Sequence, residues 1–233
     1  MGNFFSLNRF IANIPLILPK LPVTLSLVLV SMAAGIVLGI IAALIRLNKV
    51  PILYQITGIG VSFLRGTPII VQLFVVYFGV PFLLSKIGIN AARWNKFIFV
   101  NVTYALNTSA FLSEIIRGSI LSIDPGQREA ALSCGLTPFQ AFKRVVAPQA
   151  LLVALPSFSV SLLSLLQNTS LAFTIGIVDM VGQVRAIAIR THHVLEGYVA
   201  VAIIFVLLSF LINALFARME KRLRDKINLE DVR

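Results

Sequence analysis

Five long apolar runs constrain this chain more than any other feature of its sequence. A helix needs about 20 predominantly apolar residues to cross roughly 30 Å of hydrocarbon, and each run is long enough to do so. The runs cover residues 23–45, 52–84, 97–121, 145–166 and 194–217. They predict an all-α membrane protein with five transmembrane helices.

The composition fits a protein surrounded by lipid. Charged residues make up 12% of the 233 residues, whereas ordinary soluble domains contain about 25%. The net charge of +11 is high enough for a nucleic-acid-binding protein, but the charges lie mainly between and after the apolar runs, as in membrane proteins. One cysteine and two histidines leave little for disulfides or metal ligation. We therefore expect no nucleic-acid partner, no metal site and no cofactor bound by this chain.

The positions of lysine and arginine predict the orientation, because these residues are retained on the cytoplasmic face. Twelve of the twenty lie near the end of or after the first and third runs, or in the C-terminal tail; seven lie on the opposite side, and Arg65 lies in the middle of a run. Five spans put the two termini on opposite sides. The sequence predicts an external N-terminus and a cytoplasmic C-terminus.

The chain shows no sign of division into domains. It contains no internal repeat, no low-complexity segment and no linker rich in proline, glycine or serine. We expect residues 1–233 to form a single transmembrane domain. Pro15, Pro19 and Pro22 interrupt the first apolar stretch, which predicts an interfacial lead-in rather than a signal peptide.

The cytoplasmic loop at about residues 125–146 carries clear helix signals. Asp124 is a favourable N-cap, Pro125 suits the first helical position, and Gly135 suits a left-handed C-terminus. Thr137 repeats the start signal for a second helix. The loop is predicted to form a helix, a tight turn and another helix.

The first loop helix has two interpretations at this stage. Ala130 and Ala131 are small enough for a partner to approach the backbone, while Leu132 and Phe139 offer apolar anchors. These features are typical of a helix that binds in a groove. They are also consistent with an amphipathic loop that lies on the membrane surface and has good caps.

The spacing in this loop resembles the signature loop of bacterial ABC importer permeases. Glu129 begins a Glu-Ala-Ala sequence, Gly135 follows after three further residues, and nine residues then precede an aliphatic segment that ends at Pro148. Ala147 stands where the family usually has leucine. Three other segments resemble the polar amino acid branch of that family: residues 63–68 with Gln72, residues 113–118 and residues 167–171.

The resemblance implies a type I ABC importer permease fold with five transmembrane helices in the bacterial cell membrane. It implies a second permease copy or a sister permease, ATPase subunits that bind ATP and magnesium, an external binding protein and surrounding lipid. The loop would form the coupling helix that contacts the ATPase through Glu129, Ala130, Ala131, Leu132, Gly135 and Phe139. The chain lacks the Gly-x4-Gly-Lys-Ser/Thr phosphate loop, so we expect a transport permease and not an enzyme.

Arg65 is the most costly residue to place in a membrane, at about 2.5 to 3.5 kcal/mol near mid-helix. Pro68 and Gly66 favour a break in the helix, which would expose polar backbone to a cavity as in other transporters. The alternative is a span that starts at Pro68, with Arg65 extending to the cytoplasmic headgroups. The resemblance favours a role in the substrate pathway, together with Thr67 and Gln72.

Two other polar groups have a structural and a functional interpretation. Glu114 and Arg117 share a helix face and form either a simple ion pair or a gate or subunit contact. Gln167, Asn168 and the hydroxyl residues Thr169 and Ser170 form either a capped helix end or part of the pathway that the resemblance implies.

The family often has lysine at the position of Gln167. Its absence here favours cystine or another net-neutral polar amino acid over a charged one. A secondary amino acid transporter or a channel, independent of an ATPase, is the alternative function. Such proteins more often carry intramembrane acidic relays, for which only Glu114 is available.

Overall fold

The structure is a computed structural model that describes residues 5–230, with side chains up to residue 227. All regular structure in this part of the chain is helical. The α-helices are α1 Leu7–Ile17, α2 Leu21–Leu47, α3 Leu53–Gly66, α4 Ile69–Phe74, α5 Val80–Ser85, α6 Lys96–Leu121, α7 Pro125–Ser133, α8 Pro138–Ala141, α9 Ala147–Asn168, α10 Met180–Thr191 and α11 Leu195–Glu230.

Several α-helices are joined by short tighter or wider helical turns. Leu18–Lys20, Ala91–Arg93 and Thr169–Ile175 are 3₁₀ segments, and Val75–Gly79 and Phe142–Val146 are π-helical turns. These turns make longer continuous rods, so that α1 continues into α2 and α8 continues into α9. The prolines of the lead-in are therefore accommodated within helix, and Pro15 lies inside α1.

Three helical stretches are long and apolar enough to cross a membrane. They are Leu7–Leu47, Pro138–Ile175 and Leu195–Ile227. A fourth candidate is the pair Leu53–Gly66 and Ile69–Ser85, which passes only as a pair bent by 112°. By length and hydropathy, the described residues thus contain three or four spans, where the sequence predicts five.

The remaining predicted span is α6, which lies at the centre of the fold. It packs against α2, α3, α4 and α9. One side of α6 is exposed and apolar, with Ile98, Val102 and Leu106. The sides that face other helices bury polar side chains, namely Asn101, Thr103, Asn107, Thr108, Ser109 and Ser113. Its 26 residues are long enough for a span, but these polar groups lower its hydropathy.

Small residues allow α2 to approach α6 closely. A Cβ added at Gly35 would lie 3.0 Å from Thr108 Cγ2, and one at Gly39 would lie 3.0 Å from Leu112 Cβ. This close approach is typical of glycine pairs in membrane helices. The Gly-x3-Gly step therefore serves packing within the chain.

A second core forms where α1, α10 and α11 meet, around Ile17, Met180 and Val184. An ion pair holds α1 on α11, since Arg9 Nε lies 2.8 Å from Glu196 Oε1. The Glu196 side chain is buried, so this contact ties the N-terminal helix firmly to the last one.

The cap predictions for the loop are confirmed. Asp124 accepts a hydrogen bond from the Gly126 backbone N–H at 2.8 Å, and Gly135 has a left-handed φ of +83°. Thr137 and Gln140 form a reciprocal capping box at the start of α8.

Candidate functional site

The helix break between α3 and α4 forms the first part of the site. Helix α3 ends at Gly66, Thr67 is extended, and α4 begins after Pro68. Because proline has no backbone N–H and the chain turns by 112° here, the last carbonyls of α3 lose their helical partners. In a membrane, each such carbonyl needs another hydrogen-bond donor.

Side chains supply these donors. The Thr67 hydroxyl donates to the Phe63 carbonyl at 2.8 Å. The Gln72 amide donates to the Leu64 carbonyl at 2.8 Å, to the Thr67 carbonyl at 3.0 Å and to the Thr67 hydroxyl at 2.8 Å. From α6, the Asn107 amide reaches the Leu64 carbonyl and Gln72 Oε1, each at 3.2 Å. Thr67 and Gln72 are thus brought together, and they stabilise the break.

A cavity of about 180 Å³ lies beside this network. Its polar lining consists of amides and hydroxyls from α6 and α9, and its described lining contains no charged side chain. The lining residues are Ile69, Asn107, Thr108, Phe111, Val160, Ser161, Ser164, Leu165 and Asn168. Such a set of donors and acceptors in a mostly apolar wall is typical of small-molecule sites.

Arg65 lies next to the cavity but outside its lining. Its guanidinium carbon is 5.6 Å from the centroid of the Phe111 ring, and Phe111 is a lining residue. This distance is within the range of a cation–π contact. The structure therefore places a positive charge against the ring of one lining residue of an uncharged, mostly apolar cavity.

Of the four residues predicted at the end of α9, the structure brings only Asn168 to the cavity. The Tyr104 hydroxyl donates to the Asn168 carbonyl at 2.7 Å. Thr169 and Ser170 donate to carbonyls of their own helix, at Leu166 and Gln167. The Gln167 side chain is exposed.

Sequence reasoning missed Asn107, Thr108, Ser161 and Ser164 as lining residues. A signal was present, because Ser161, Ser164 and Asn168 are spaced by three and four residues and so share one helix face. Asn107 and Thr108 are adjacent polar residues within an apolar run.

Glu114 connects α6 with α2. It forms ion pairs with Arg46 and with Arg117, and Arg117 Nη2 lies 2.8 Å from Glu114 Oε2. The Arg46 and Glu114 side chains are only 16% and 20% exposed. Arg46 was missed as a partner because it lies 68 residues away in sequence. A gating role for Glu114 and Arg117 stays a prediction.

The loop residues lie on the surface, with one exception. Glu129, Ala130 and Gly135 are exposed, and Phe139 is 71% exposed. Ala131 is buried, and Leu132 is half-buried. The exposed side chains are available to a partner, and their role in coupling stays a prediction.

In the part of the chain that the structure covers, no three His, Cys, Asp or Glu side chains lie close enough together to hold an ion. The only cysteine of the sequence, Cys134, is free and exposed.

Known proteins resemble this chain over nearly its whole length. The L-cystine transport system permease protein TcyL of Bacillus subtilis is 41% identical over 224 residues, with 96% of this chain and 94% of that protein covered. The glutamine transport system permease protein GlnP of Escherichia coli is 30% identical, with 91% and 94% covered.

Solved structures share the fold. An amino acid ABC transporter described "with histidines" matches with a TM-score of 0.81 and 29% identity, over 94% of this chain and 99% of that one. The MetNI methionine ABC transporter, at 20% identity, matches with a TM-score of 0.68 over 89% and 96%; this match shows the fold alone.

The apolar helices of the structure, one pair of them broken beside a cavity, indicate a multi-pass membrane protein. Residues 35–225 match the model of one family, described as binding-protein-dependent transport system inner membrane components. The chain belongs to that family. It is therefore a membrane-embedded permease component of an ABC importer, a class that works with a binding protein and an ATPase. A secondary transporter or channel is not favoured by these matches.

Proposed function

We propose that this permease carries a polar amino acid without net side-chain charge, with cystine as the first candidate. The observation that carries the proposal is the 41% identity to an L-cystine permease over nearly the whole chain. The cavity supports it, because amides and hydroxyls supply its polar lining and suit the neutral parts of such a substrate. Arg65 at the cavity edge suits an α-carboxylate.

The topology we propose has five spans in one domain. The bent pair α3 to α5 counts as one span. Helix α6 is the fifth, because its polar side chains are buried against other helices and its exposed side is apolar. The N-terminus lies outside and the C-terminus lies in the cytoplasm, since most of the lysines and arginines are then cytoplasmic.

The working assembly contains two permease subunits, either two copies of this chain or this chain and a sister. Each α7 loop contacts an ATPase subunit, which binds ATP and magnesium. An external binding protein delivers the amino acid. The exposed Phe139 and the capped rigid helix α7 support this role of the loop as the lever that links ATPase closure to the permease.

Competition for uptake tests the proposed substrate. Uptake of labelled cystine is measured in cells with and without this chain, in the presence of unlabelled glutamine, arginine or histidine. We expect uptake to require the chain and only cystine-like compounds to compete. Stronger competition by arginine or histidine would contradict the assignment of a net-neutral substrate.

Loop variants test the proposed coupling. Gly135→Val strains a backbone with φ of +83°, and Glu129→Lys reverses a charge on the exposed face of α7. Both should insert normally but hydrolyse ATP without transport. Glu220→Lys is the matched charge reversal, on an exposed ion pair of α11 whose loss costs little, and it should leave coupling intact. Normal coupling of ATP hydrolysis to transport in both loop variants would contradict the proposed role of α7.

A further inference from the structure

A basic groove lies between the start of α9 and the end of α11. We propose that it binds the headgroup of an anionic phospholipid from the cytoplasmic leaflet, an inference that rests on the orientation proposed above. The groove encloses about 660 Å³. Three cations line it: Lys143 and Arg144 before α9, and Lys226 on α11.

The apolar runs of α9 and α11 indicate the depth of this groove. The Ser159 hydroxyl donates to Asn213 Oδ1 at 3.0 Å, which aligns the two helices close to the end of the run 194–217. Lys143 and Arg144 directly precede the run 145–166, and Lys226 follows the run 194–217 by nine residues. The cations of the groove therefore lie beyond the apolar ends of both helices, where charged side chains meet the headgroups.

The groove has the two-part chemistry of a lipid. Its cations lie around an apolar floor that includes Leu151, Leu223 and Ile227. The three cations suit a phosphate, and the described lining contains no carboxylate to neutralise them. A free phosphate ion would make no favourable contact with the apolar floor, whereas the first carbons of an acyl chain would pack against it.

The apolar floor also favours lipid over a soluble subunit. Leu151 belongs to the membrane-spanning stretch Pro138–Ile175 and is 48% exposed. Its exposed side therefore lies where hydrocarbon begins. Basic pockets between membrane helices on the cytoplasmic side are known to hold anionic headgroups.

The test uses the assembled transporter in lipid discs of phosphatidylcholine, with phosphatidylglycerol as the probe. Native mass spectrometry counts the phosphatidylglycerol molecules that stay bound per permease. The groove variant is Lys143→Gln, Arg144→Gln and Lys226→Gln combined. The matched control is Arg218→Gln, Lys221→Gln and Arg222→Gln, which removes the same charge from α11 outside the groove.

We expect a tightly bound phosphatidylglycerol in the wild type and in the control. The groove variant should bind it about a hundredfold more weakly, or about 3 kcal/mol for three cations. Equal loss in both variants would overturn the proposal, because the attraction would then be diffuse. Displacement of the lipid by inorganic phosphate alone would also overturn it in favour of a free-anion site.

Two further outcomes separate this inference from the proposed function. Loss of the ATPase subunits from the groove variant, with phosphatidylglycerol binding unchanged, would assign the groove to the ATPase and overturn the lipid site. Stimulation of ATP hydrolysis by the binding protein is measured on the same discs and tests the permease role independently. A transporter that is stimulated normally but binds no phosphatidylglycerol would overturn only the lipid site.

Discussion

At the residue scale, Gln72 replaces hydrogen bonds that the break in the helix removes. Its amide contacts both carbonyls at the end of α3, and its own oxygen accepts from Asn107. The side chain is only 6% exposed, so water does not readily take its place. The broken end of α3 beside the cavity therefore depends mainly on this buried amide, with Asn107 as a second donor to the Leu64 carbonyl.

Gln72→Leu tests this dependence. It leaves the Leu64 and Thr67 carbonyls without this donor, and we expect a loss of about 1 to 3 kcal/mol in the free energy of unfolding, measured by thermal unfolding in detergent. Gln55→Leu on the exposed surface of α3 is the control and should change little. Equal effects of the two variants would contradict the account of the break.

Glu114 holds two arginines of different exposure, which predicts two different energies. In a double-mutant cycle of Glu114→Gln with Arg46→Gln, the mostly buried pair should show a coupling of roughly 3 kcal/mol. The cycle with Arg117→Gln should give less than about 1 kcal/mol, because Arg117 is 33% exposed. Similar coupling energies in the two cycles would contradict the expectation that the more buried ion pair is the stronger one.

Asp179 caps α10 outside the membrane-spanning helices. Its carboxyl should make the stability of the fold depend on pH. Its Oδ1 accepts from the Gly182 backbone N–H at 2.8 Å, and its Oδ2 has no partner among the described residues. Burial raises the pKa of the Asp179 carboxyl. The ionised form is therefore less favourable in the folded chain than in the unfolded chain. Stability should fall as pH rises from the ordinary carboxyl pKa of the unfolded chain towards this raised pKa, and it should level off above the raised pKa.

Asp179→Asn keeps the capping oxygen but cannot ionise, so its melting temperature should lack this decline at higher pH. Asp179→Ala also removes the cap and should lose about 1 kcal/mol at every pH. Thermal unfolding over a pH range that begins below the ordinary carboxyl pKa and ends at mildly alkaline pH separates the two. A wild-type decline that persists in Asp179→Asn would assign the pH dependence to another group.

Some of these contacts could be predicted from the sequence, and others could not, for a physical reason. Glu114 and Arg117 lie three residues apart, so helical geometry alone brings them together. Arg46 and Asn107 reach their partners only after α2, α3 and α6 have packed. Contacts of this kind depend on the tertiary arrangement, which no local pattern contains.

At the element scale, α2 and α6 depend on glycines where the helices touch. A Cβ at Gly39 would lie 3.0 Å from Leu112 Cβ and 3.2 Å from the Ser109 carbonyl oxygen. The backbone of α6 cannot yield easily, and we expect Gly39→Ala to cost about 1 to 3 kcal/mol in thermal unfolding in detergent.

Gly58→Ala is the matched control on α3. A Cβ there meets nothing within 4 Å, and alanine has the higher helix propensity, so stability should rise by up to about 1 kcal/mol. A loss at Gly58 as large as that at Gly39 would contradict the close α2–α6 contact as the cause.

The helix ends were the most predictable elements. Asp124, Gly135 and Thr137 act through hydrogen bonds and backbone angles within a few residues, so the sequence determines them locally. The break at Pro68 was one of two alternatives, because proline favours a boundary without fixing the turn angle. The angle of 112° depends on the side chains that satisfy the broken end.

At the scale of the whole molecule, the apolar runs predicted a membrane protein correctly. The five spans that they predict exceed the three or four that length and hydropathy identify among the described residues. Helix α6 explains the difference. By the length of its apolar run, α6 is long enough to be a span. Its mean hydropathy is low, because it carries polar side chains that face other helices. The same central position places Asn107 and Thr108 at the cavity.

The most direct test of the account is uptake into proteoliposomes that contain the purified transporter with this permease, with labelled cystine, the binding protein and ATP under separate control. We predict uptake only when ATP is inside, where the ATPase lies, and the binding protein is outside. Uptake that continues without ATP or without the binding protein would contradict the assignment of this chain to an ATP-driven importer.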